Sequence, residues 1–364
     1  LKGKSWRILK EMNTKLKATV KTKFGLTREF EMEVGGRQGS SITGRLFSKM
    51  IYKIAEELLS TDIGFPLTHD VKIPVLLWVD DVVSAVVGII HQRDILRRID
   101  HFGKNHKLRW GQNKCQVMRI GYHKDKTKEE WKIGDMTIEE TKTYKYLGDV
   151  ISNDGKNQKN IESRKSKIYA STISIKTLAA NETLNKMESS ILLNMHDTIN
   201  LPSLLTNSES WNLNKSEREE LERIEIHAIK LLFDLPTKIP TPALIYSLGL
   251  IYTSLRIEQK QLLYIWNILN REEQHWTRVV LKEMMEKEIG WGRTIKETLT
   301  KHNLPIDMNK IRPMRKNDWT RRVKTSIELK NKERLLADCY KETDGQRTRN
   351  TKTSSIVDSI EDPS

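Results

Sequence analysis

The sequence predicts an α+β fold, in which roughly the first 152 residues mix strands with helices and the remainder is helical. In the first part, apolar and β-branched runs alternate with glycine-containing turns, a pattern typical of strands. From about residue 156, apolar residues recur at helical spacing over long stretches, with prolines between them. Those amphipathic stretches are residues 158–180, 183–199, 215–233 and 253–271.

The N-terminal quarter is predicted to contain a helix, a hairpin, a loop and a second helix. The first helix covers residues 5–20, and the hairpin runs from Lys21 to Phe30 around Gly25. A glycine-punctuated loop at residues 35–41 leads into the second helix. That helix has an apolar stripe at i, i+4 spacing, which we expect to face the core: Leu46, Met50, Ile54 and Leu58.

An apolar segment interrupted by two adjacent acids follows at residues 74–87. The two runs predict buried strands, and the acids Asp80 and Asp81 fall where the chain must turn. Adjacent carboxylates repel each other, and a divalent cation with oxygen ligands, such as Mg²⁺, would relieve that repulsion. The alternative is an ordinary hairpin, because Asp is also a common turn residue that needs no metal.

The rest of the first half predicts further short elements. A helix over 91–106 should turn Ile95, Ile99 and Phe102 inward. Beyond it we expect a strand at 115–120, a hairpin over 131–138 that turns at Gly134–Asp135, and a strand at 143–151.

Composition narrows the function classes. The 364 residues carry 63 Lys and Arg against 48 Asp and Glu, a formal net charge of +15, which attracts polyanions such as nucleic acid. The two cysteines, Cys115 and Cys339, exclude a disulfide framework and a multi-cysteine zinc site within these residues. We expect a reducing compartment, nucleus or cytoplasm, and no association with a membrane, since no apolar stretch approaches membrane-span length.

Taken in order, the motifs resemble the palm and thumb of a reverse transcriptase from a non-LTR (LINE-type) retrotransposon. The segment Gly36-Arg37-Gln38-Gly39-Ser40 is similar to the family's loop beside template and incoming nucleotide. Trp78-Val79-Asp80-Asp81 resembles its metal-binding hairpin, and Lys114 its lysine near the triphosphate. Tyr146-Leu147-Gly148 resembles its primer grip. Likeness to the family's thumb continues through Glu209–Leu213 and fades after about residue 270.

The resemblance implies RNA-directed DNA synthesis by two-metal nucleotidyl transfer from deoxynucleoside triphosphates, on an RNA template and a DNA primer or target. Asp80 would ligate Mg²⁺, or Mn²⁺ in its place, with Asp81 supporting it and Trp78 packed under the turn. Lys114 would donate to the leaving pyrophosphate, as a general acid or a point charge. Alternatives stay open: Arg37 and Lys114 can be solvated surface residues, and Tyr146 a core residue.

The resemblance also implies a division of the chain. Residues 1–152 would be a partial palm, an antiparallel sheet with helices on one face, and 153–235 a helical thumb. Residues 236–340 would be a helical connection region, and the polar residues 341–364 a disordered tail. The family carries a further metal-binding aspartate upstream of the Arg37–Gly39 loop, as well as fingers, and nothing in this chain replaces them. We therefore expect the chain to be inactive alone.

Two other function classes are compatible with the sequence. The first is a non-catalytic nucleic-acid-binding relic of a mobile element, and the second a helical interaction module beside an unrelated α+β domain. In a nucleic-acid-binding relic, the basic stretch from Lys310 to Arg334 would contact phosphates. In a helical interaction module, it would be a solvated helix. The sequence does not identify protein partners.

Overall fold

The computed structural model describes residues 2–32, 40–69, 71–121, 129–179, 188–343 and 346–349. The fold is mixed α+β, as expected at that coarse level. The chain forms two compact units: the first unit contains residues 1–115 and 130–138, and the second unit contains residues 116–129 and 139–364. The finer sequence-based division into four parts stays a prediction.

The helices and strands are numbered along the chain within the described residues. The helices are α1 (Gly3–Met12), α2 (Ser41–Leu59), α3 (Ile89–Asn105), α4 (Gln158–Ala179), α5 (Ser189–Met195), α6 (Leu201–Leu205), α7 (Lys215–Leu232), α8 (Thr241–Ser247), α9 (Thr253–Leu269), α10 (Trp276–Glu286), α11 (Gly290–Lys301), α12 (Met308–Ile311) and α13 (Lys316–Cys339). The strands are β1 (Leu16–Ala18), β2 (Lys21–Thr22), β3 (Gly25–Leu26), β4 (Phe30–Met32), β5 (Phe65–Pro66), β6 (Lys72–Ile73), β7 (Val75–Trp78), β8 (Asp81–Ser84), β9 (Gln116–Val117), β10 (Trp131–Ile133), β11 (Met136–Glu140), β12 (Thr143–Tyr146), β13 (Asp149–Ser152), β14 (Tyr340–Thr343) and β15 (Gln346–Arg349).

Across the described ranges the strands pair in small antiparallel ribbons rather than in one larger sheet. The antiparallel pairs are β1–β4, β2–β3, β5–β6, β7–β8, β10–β11, β12–β13 and β14–β15. In the second unit, β9 pairs in parallel with Glu139 and Glu140 at the end of β11. The hairpin of β14 and β15 lies within the predicted disordered tail, and most of the rest of that tail lies outside the described residues.

The core of the first unit forms where α2 packs against α3 and β7, and α3 against β10. Ile95, Ile99 and Phe102 are buried, which confirms the predicted inner face of α3. The predicted stripe of α2 is only half right, because Ile54 and Leu58 are fully buried whereas Leu46 is 40% exposed. The stripe therefore faces the core only in the C-terminal half of α2, beside β7.

Two predicted elements near the N-terminus are wrong in extent. The first helix ends at Met12 instead of near residue 20, because Asn13 and Thr14 donate side-chain hydrogen bonds to the carbonyls of Leu9 and Lys10. Such local bonds compete with helix continuation. The hairpin that follows turns at residues 23–24, one step before Gly25.

Strand predictions further along also need correction. The strand expected at 115–120 is limited to Gln116–Val117. The single strand expected at 143–151 is a hairpin, in which Tyr146 pairs with Asp149 across a turn at Leu147–Gly148. The predicted hairpin turn at Gly134–Asp135 is confirmed.

The second unit contains two apolar cores that share helices α7 and α9. The first core includes Ile161 and Ile168 of α4 with Leu221 of α7. The second includes Leu262 of α9 and Trp319 of α13, whose indole nitrogen donates to the Leu262 carbonyl at 2.9 Å. Among the described helices, none is long and apolar enough to traverse a lipid bilayer.

Candidate functional sites: an acidic hairpin and an aromatic groove

The acidic pair lies at the exposed tip of the β7–β8 hairpin in the first unit. Trp78 pairs with Asp81, so Val79 and Asp80 are the two turn residues and Asp81 opens β8. Val79 has φ = +54°, which a β-branched side chain rarely adopts. Positive φ at the first turn position is the geometry for which glycine is normally selected. The tip therefore combines local backbone strain with two exposed carboxylates.

Trp78 does not pack under this turn, contrary to the expectation. Its side chain is 62% exposed, and Val79 beside it is 47% exposed. The apolar residues of the hairpin that reach the core lie at its opposite end, where Val75 is 8% exposed. Trp78 pairs with Asp81 next to the turn, at the end away from the core. The tip therefore projects from the first unit's core.

The carboxylates of Asp80 and Asp81 make neither an ion pair nor a hydrogen bond within the part of the chain that the structure describes. Their chemistry fits a hard cation, because Mg²⁺ takes oxygen ligands and binds through one or two carboxylates while keeping waters. No group of three or more His, Cys, Asp and Glu side chains suited to a metal occurs among the described residues. The tip therefore offers a partial ligand set of two carboxylates.

The remaining predicted residues of the first unit are only partly described. Arg37, Gln38 and Gly39 lie outside the described residues. Ser40 is the N-cap of α2, where its side-chain oxygen accepts a hydrogen bond from the Ile42 amide at 3.4 Å. Lys114 is exposed at the end of a 3₁₀ turn, in which its amide donates to the Gly111 carbonyl at 2.9 Å.

In the second unit, the predicted primer-grip residues form a tight turn. Leu147 (φ = +46°) and Gly148 (φ = +95°) are the central residues between β12 and β13. Positive φ at both positions is the signature of a type I′ turn, which matches the twist of an antiparallel hairpin. Tyr146, immediately before the turn, is half-buried.

A polar network holds this turn against the helices of the second unit. Asp149 accepts hydrogen bonds from Asn160 at 3.1 Å, Arg164 at 2.6 Å and Asn207 at 2.9 Å. Asn207 also donates to the Leu147 carbonyl at 3.0 Å. Arg164 is 3% exposed, and its guanidinium lies 5.6 Å from the ring centroid of Trp211. The backbone of the turn is thus tied directly to the helical part of the unit.

A groove of about 460 Å³ lies beside the turn. Its lining includes three aromatic side chains, one cation, several amides and two carboxylates, among them Tyr146, Trp211, Tyr264, Lys156, Asn207, Asp149 and Glu209. Aromatic faces next to cations suit the bases and phosphates of a nucleic-acid strand. Near this hairpin, partial burial together with the charges of Arg164 and Lys145 holds the pKa of Lys167 below its ordinary value. Positive charge is therefore concentrated around Asp149.

Sequence reasoning missed the four polar residues of this network, namely Asp149, Asn160, Arg164 and Asn207. A signal existed for Asn207, because Asn favours the left-handed conformation that it adopts here, with φ = +64°. No sequence signal indicated Arg164, since an arginine within an amphipathic helix is normally solvated.

The chain matches no protein-family description, and no curated protein matches it either.

Proposed function

We propose that this chain is the palm and thumb part of an RNA-directed DNA polymerase of a non-LTR (LINE-type) retrotransposon. One observation carries the proposal: Asp80 and Asp81 stand side by side, exposed and unpaired within the described residues, at the tip of an antiparallel hairpin. Asp is a common turn residue that needs no metal, but two adjacent unpaired carboxylates are also the ligands that phosphoryl-transfer sites require.

In this proposal Asp80 holds Mg²⁺, or Mn²⁺ in its place, and Asp81 adds negative charge beside it. The metal supplies charge stabilisation to a nucleotide's phosphates during attack by a primer hydroxyl. Lys114 contributes a positive charge toward the pyrophosphate of the deoxynucleoside triphosphate. Arg37, Gln38, Gly39 and Ser40 contact template and nucleotide; the Ser40 hydroxyl oxygen already caps α2, so its backbone is the part that this role would use.

The second unit contributes the nucleic-acid groove. Tyr146, Leu147 and Gly148 support the primer strand, and the aromatic and basic lining of the groove contacts bases and phosphates. Palm, thumb and connection region would then correspond to residues 1–152, 153–235 and 236–340. RNA template and DNA primer or target are the proposed partners, in the nucleus or cytoplasm.

The metal proposal is tested by exchanging Mg²⁺ for Fe²⁺ in the presence of primer–template and nucleotide. With added hydrogen peroxide as oxidant and ascorbate to return Fe³⁺ to Fe²⁺, hydroxyl radicals formed at the bound iron should cut the backbone close to residues 78–82. Asp80→Asn should abolish this cut. Asp135→Asn is the matched control, because Asp135 is also exposed in a two-residue hairpin turn but is not adjacent to another acidic residue in the sequence. Cleavage that persists in the Asp80→Asn variant would refute the metal assignment.

Catalysis is tested by RNA-directed extension of a DNA primer. We expect no extension by this chain alone, because the hairpin tip supplies two carboxylates and nothing in the sequence replaces the further metal-binding aspartate of the family that the chain resembles. A longer polypeptide that adds the third carboxylate should extend the primer, and Asp80→Asn should abolish that activity while leaving primer–template affinity within about threefold. Template-dependent extension by the chain alone would contradict the expectation.

A second candidate function is nucleic-acid binding without catalysis, in a relic of a mobile element. The observation in its favour is that no set of three metal-ligating side chains occurs among the described residues. It predicts strand binding in the groove that does not respond to Mg²⁺ or to Asp80→Asn. Metal-dependent cleavage at the hairpin tip distinguishes the two functions.

A further inference from the structure

The basic stretch between Lys310 and Arg334 contains two groups of cations that differ in their surroundings. In one group, acidic side chains already neutralise the cations. Arg334 makes a two-pronged ion pair with Glu222 at 2.7 and 2.8 Å and lies 3.9 Å from the ring centroid of Tyr252. Lys330 pairs with Glu333 at 2.7 Å. These cations stabilise the helical core and are not available to a ligand.

The other group lies toward the N-terminal end of α13 and in the turn before it. We call it the basic face, and it consists of Lys310, Arg312, Arg321, Arg322 and Lys324. All five side chains are exposed, and none has an acidic partner at ion-pair distance within the described residues. The neighbouring carboxylate, Asp318, is already bonded by Arg315 at 2.8 Å. Asp318 also interacts electrostatically with Arg321 and Arg322, and Glu328 lies one turn after Lys324, so the five cations of the basic face outnumber the nearby carboxylates and a net positive charge remains.

The packing of α13 keeps these cations on its outer surface. Trp319, Val323 and Ile327 are fully buried and follow one another at i, i+4 spacing, so they define the inner side of the helix. Arg321, Arg322 and Lys324 fall between them and point to solvent. Trp319 anchors the inner side through its hydrogen bond to the Leu262 carbonyl at 2.9 Å. The basic face is thus displayed on a rigid helix.

The kind of ligand follows from what accompanies these charges. The only aromatic residue between positions 304 and 333 is Trp319, which is fully buried. Binding of single strands depends on exposed aromatic side chains for base stacking. Trp266 of α9 is the aromatic residue that lies beside this segment, and it is half-buried, with its indole nitrogen bonded to the Met314 carbonyl at 2.9 Å and the Lys316 ammonium 6.0 Å from its ring centroid. A duplex stacks its own bases internally and presents two lines of phosphates, which basic side chains contact without reading sequence.

We propose that the basic face binds the sugar–phosphate backbone of a nucleic-acid duplex. This surface is separate from the aromatic groove beside Leu147–Gly148, and it goes beyond the proposed polymerase function, which gives no residue of α12 or α13 a role in binding. Binding should be independent of sequence and strongly weakened by salt, because it releases counterions from the duplex.

The test measures binding of a short DNA duplex, and of a single strand of the same length, by fluorescence anisotropy over a series of salt concentrations. The variant Arg321→Gln/Arg322→Gln/Lys324→Gln removes three charges from the basic face. The control Lys282→Gln/Lys287→Gln/Lys296→Gln removes three charges from exposed or half-exposed lysines that already have acidic partners. Both triple variants therefore have the same net charge.

We expect the first triple variant to lose about tenfold or more in duplex affinity, and to lower the slope of log affinity against log salt by about 2–3. Single-strand affinity should change by less than about threefold, since stacking dominates it. The control triple should stay within about threefold of the unmodified chain for both probes. The variant Arg321→Lys/Arg322→Lys keeps the charge and should retain duplex binding.

Equal losses in the two triple variants would show a net-charge effect and overturn the proposal. So would a greater loss for the single strand than for the duplex, or loss of binding in the charge-keeping variant. These outcomes do not depend on the polymerase proposal, because neither Asp80 nor the groove is altered.

Discussion

Arg164 and Asp149 form a partly buried ion pair in which Nη2 of the arginine lies 2.6 Å from Oδ1 of the aspartate. The arginine also donates to the carbonyls of Ser203 at 2.9 Å and Thr206 at 3.3 Å, next to α6. This one side chain of α4 thereby connects the β12–β13 hairpin to α6 and the residue that follows it. The position of the Leu147–Gly148 turn therefore depends on this pair.

Replacing Arg164 by methionine should lower the free energy of unfolding of the second unit by about 3–5 kcal/mol, because it leaves the Asp149 charge without its main partner. Urea unfolding followed by far-UV circular dichroism measures the change. Arg315→Met is the matched control, since Arg315 pairs with Asp318 on the exposed surface and should contribute little to stability. Similar losses in both variants would contradict a special role for Arg164.

Periodic apolar patterns predicted the elements that local sequence determines. The inward face of α3 and the hairpin turn at Gly134–Asp135 were both confirmed. Both could be predicted because each depends on residues within one element. The stripe of α2 was predicted too far toward its N-terminus, and Leu46 is exposed. Periodicity identifies which side of a helix is apolar, whereas the length that is covered depends on neighbouring elements.

The Asp149 network could not be predicted, for a physical reason. A hairpin at 143–152 requires positive φ at Leu147, and leucine seldom adopts that conformation, so the sequence reads as one strand. Burial of Arg164 depends on Asp149, Ser203 and Thr206, partners between 15 and 42 residues away. Of the candidate site, therefore, motifs indicated the residues at the two turns but not the side chains that hold them.

Replacing Val79 by glycine should stabilise the β7–β8 hairpin. Glycine removes strain of about 1–3 kcal/mol at φ = +54° and adds about 0.5–1 kcal/mol of backbone entropy cost, so a net gain of about 1 kcal/mol is expected. Hydrogen exchange of the hairpin amides should slow by about fivefold. Val87→Gly, at an exposed position with ordinary φ, should instead speed local exchange. Faster exchange in Val79→Gly would show that the turn is unstrained.

The ionisation of Glu258 should make the stability of the second unit depend on pH. Burial raises the pKa of this carboxyl, but the hydrogen bond from His302 and the charges of Lys301 and Arg218 outweigh burial and hold it below the ordinary value of 4.5. The folded state therefore favours the ionised form. Its stabilising contribution is complete above about pH 4.5 and is lost as pH falls below that value.

Glu258→Gln should cost about 3 kcal/mol at neutral pH, because it leaves the neighbouring cations without their buried counterion. The difference in unfolding free energy between the chain and this variant should narrow as pH falls below about 4.5, as urea titrations at a series of pH values would show. Glu288→Gln, on an exposed ion pair with Lys296, is the control and should show little change. A constant difference from neutral to acid pH would contradict the assignment.

Tyr146 tests whether the groove of the second unit binds a strand by stacking. Its half-buried ring lines the groove beside Lys156 and Trp211, so truncation removes an aromatic face without changing charge. Tyr146→Ala should therefore weaken single-strand binding by about 1–3 kcal/mol, roughly 5- to 150-fold, and leave the salt slope unchanged. Tyr146→Phe should bind normally, and Tyr246→Ala, 40% exposed on α8, is the control. If the Phe variant lost as much affinity as the Ala variant, the hydroxyl rather than the ring would be responsible, and the stacking groove would have to be abandoned.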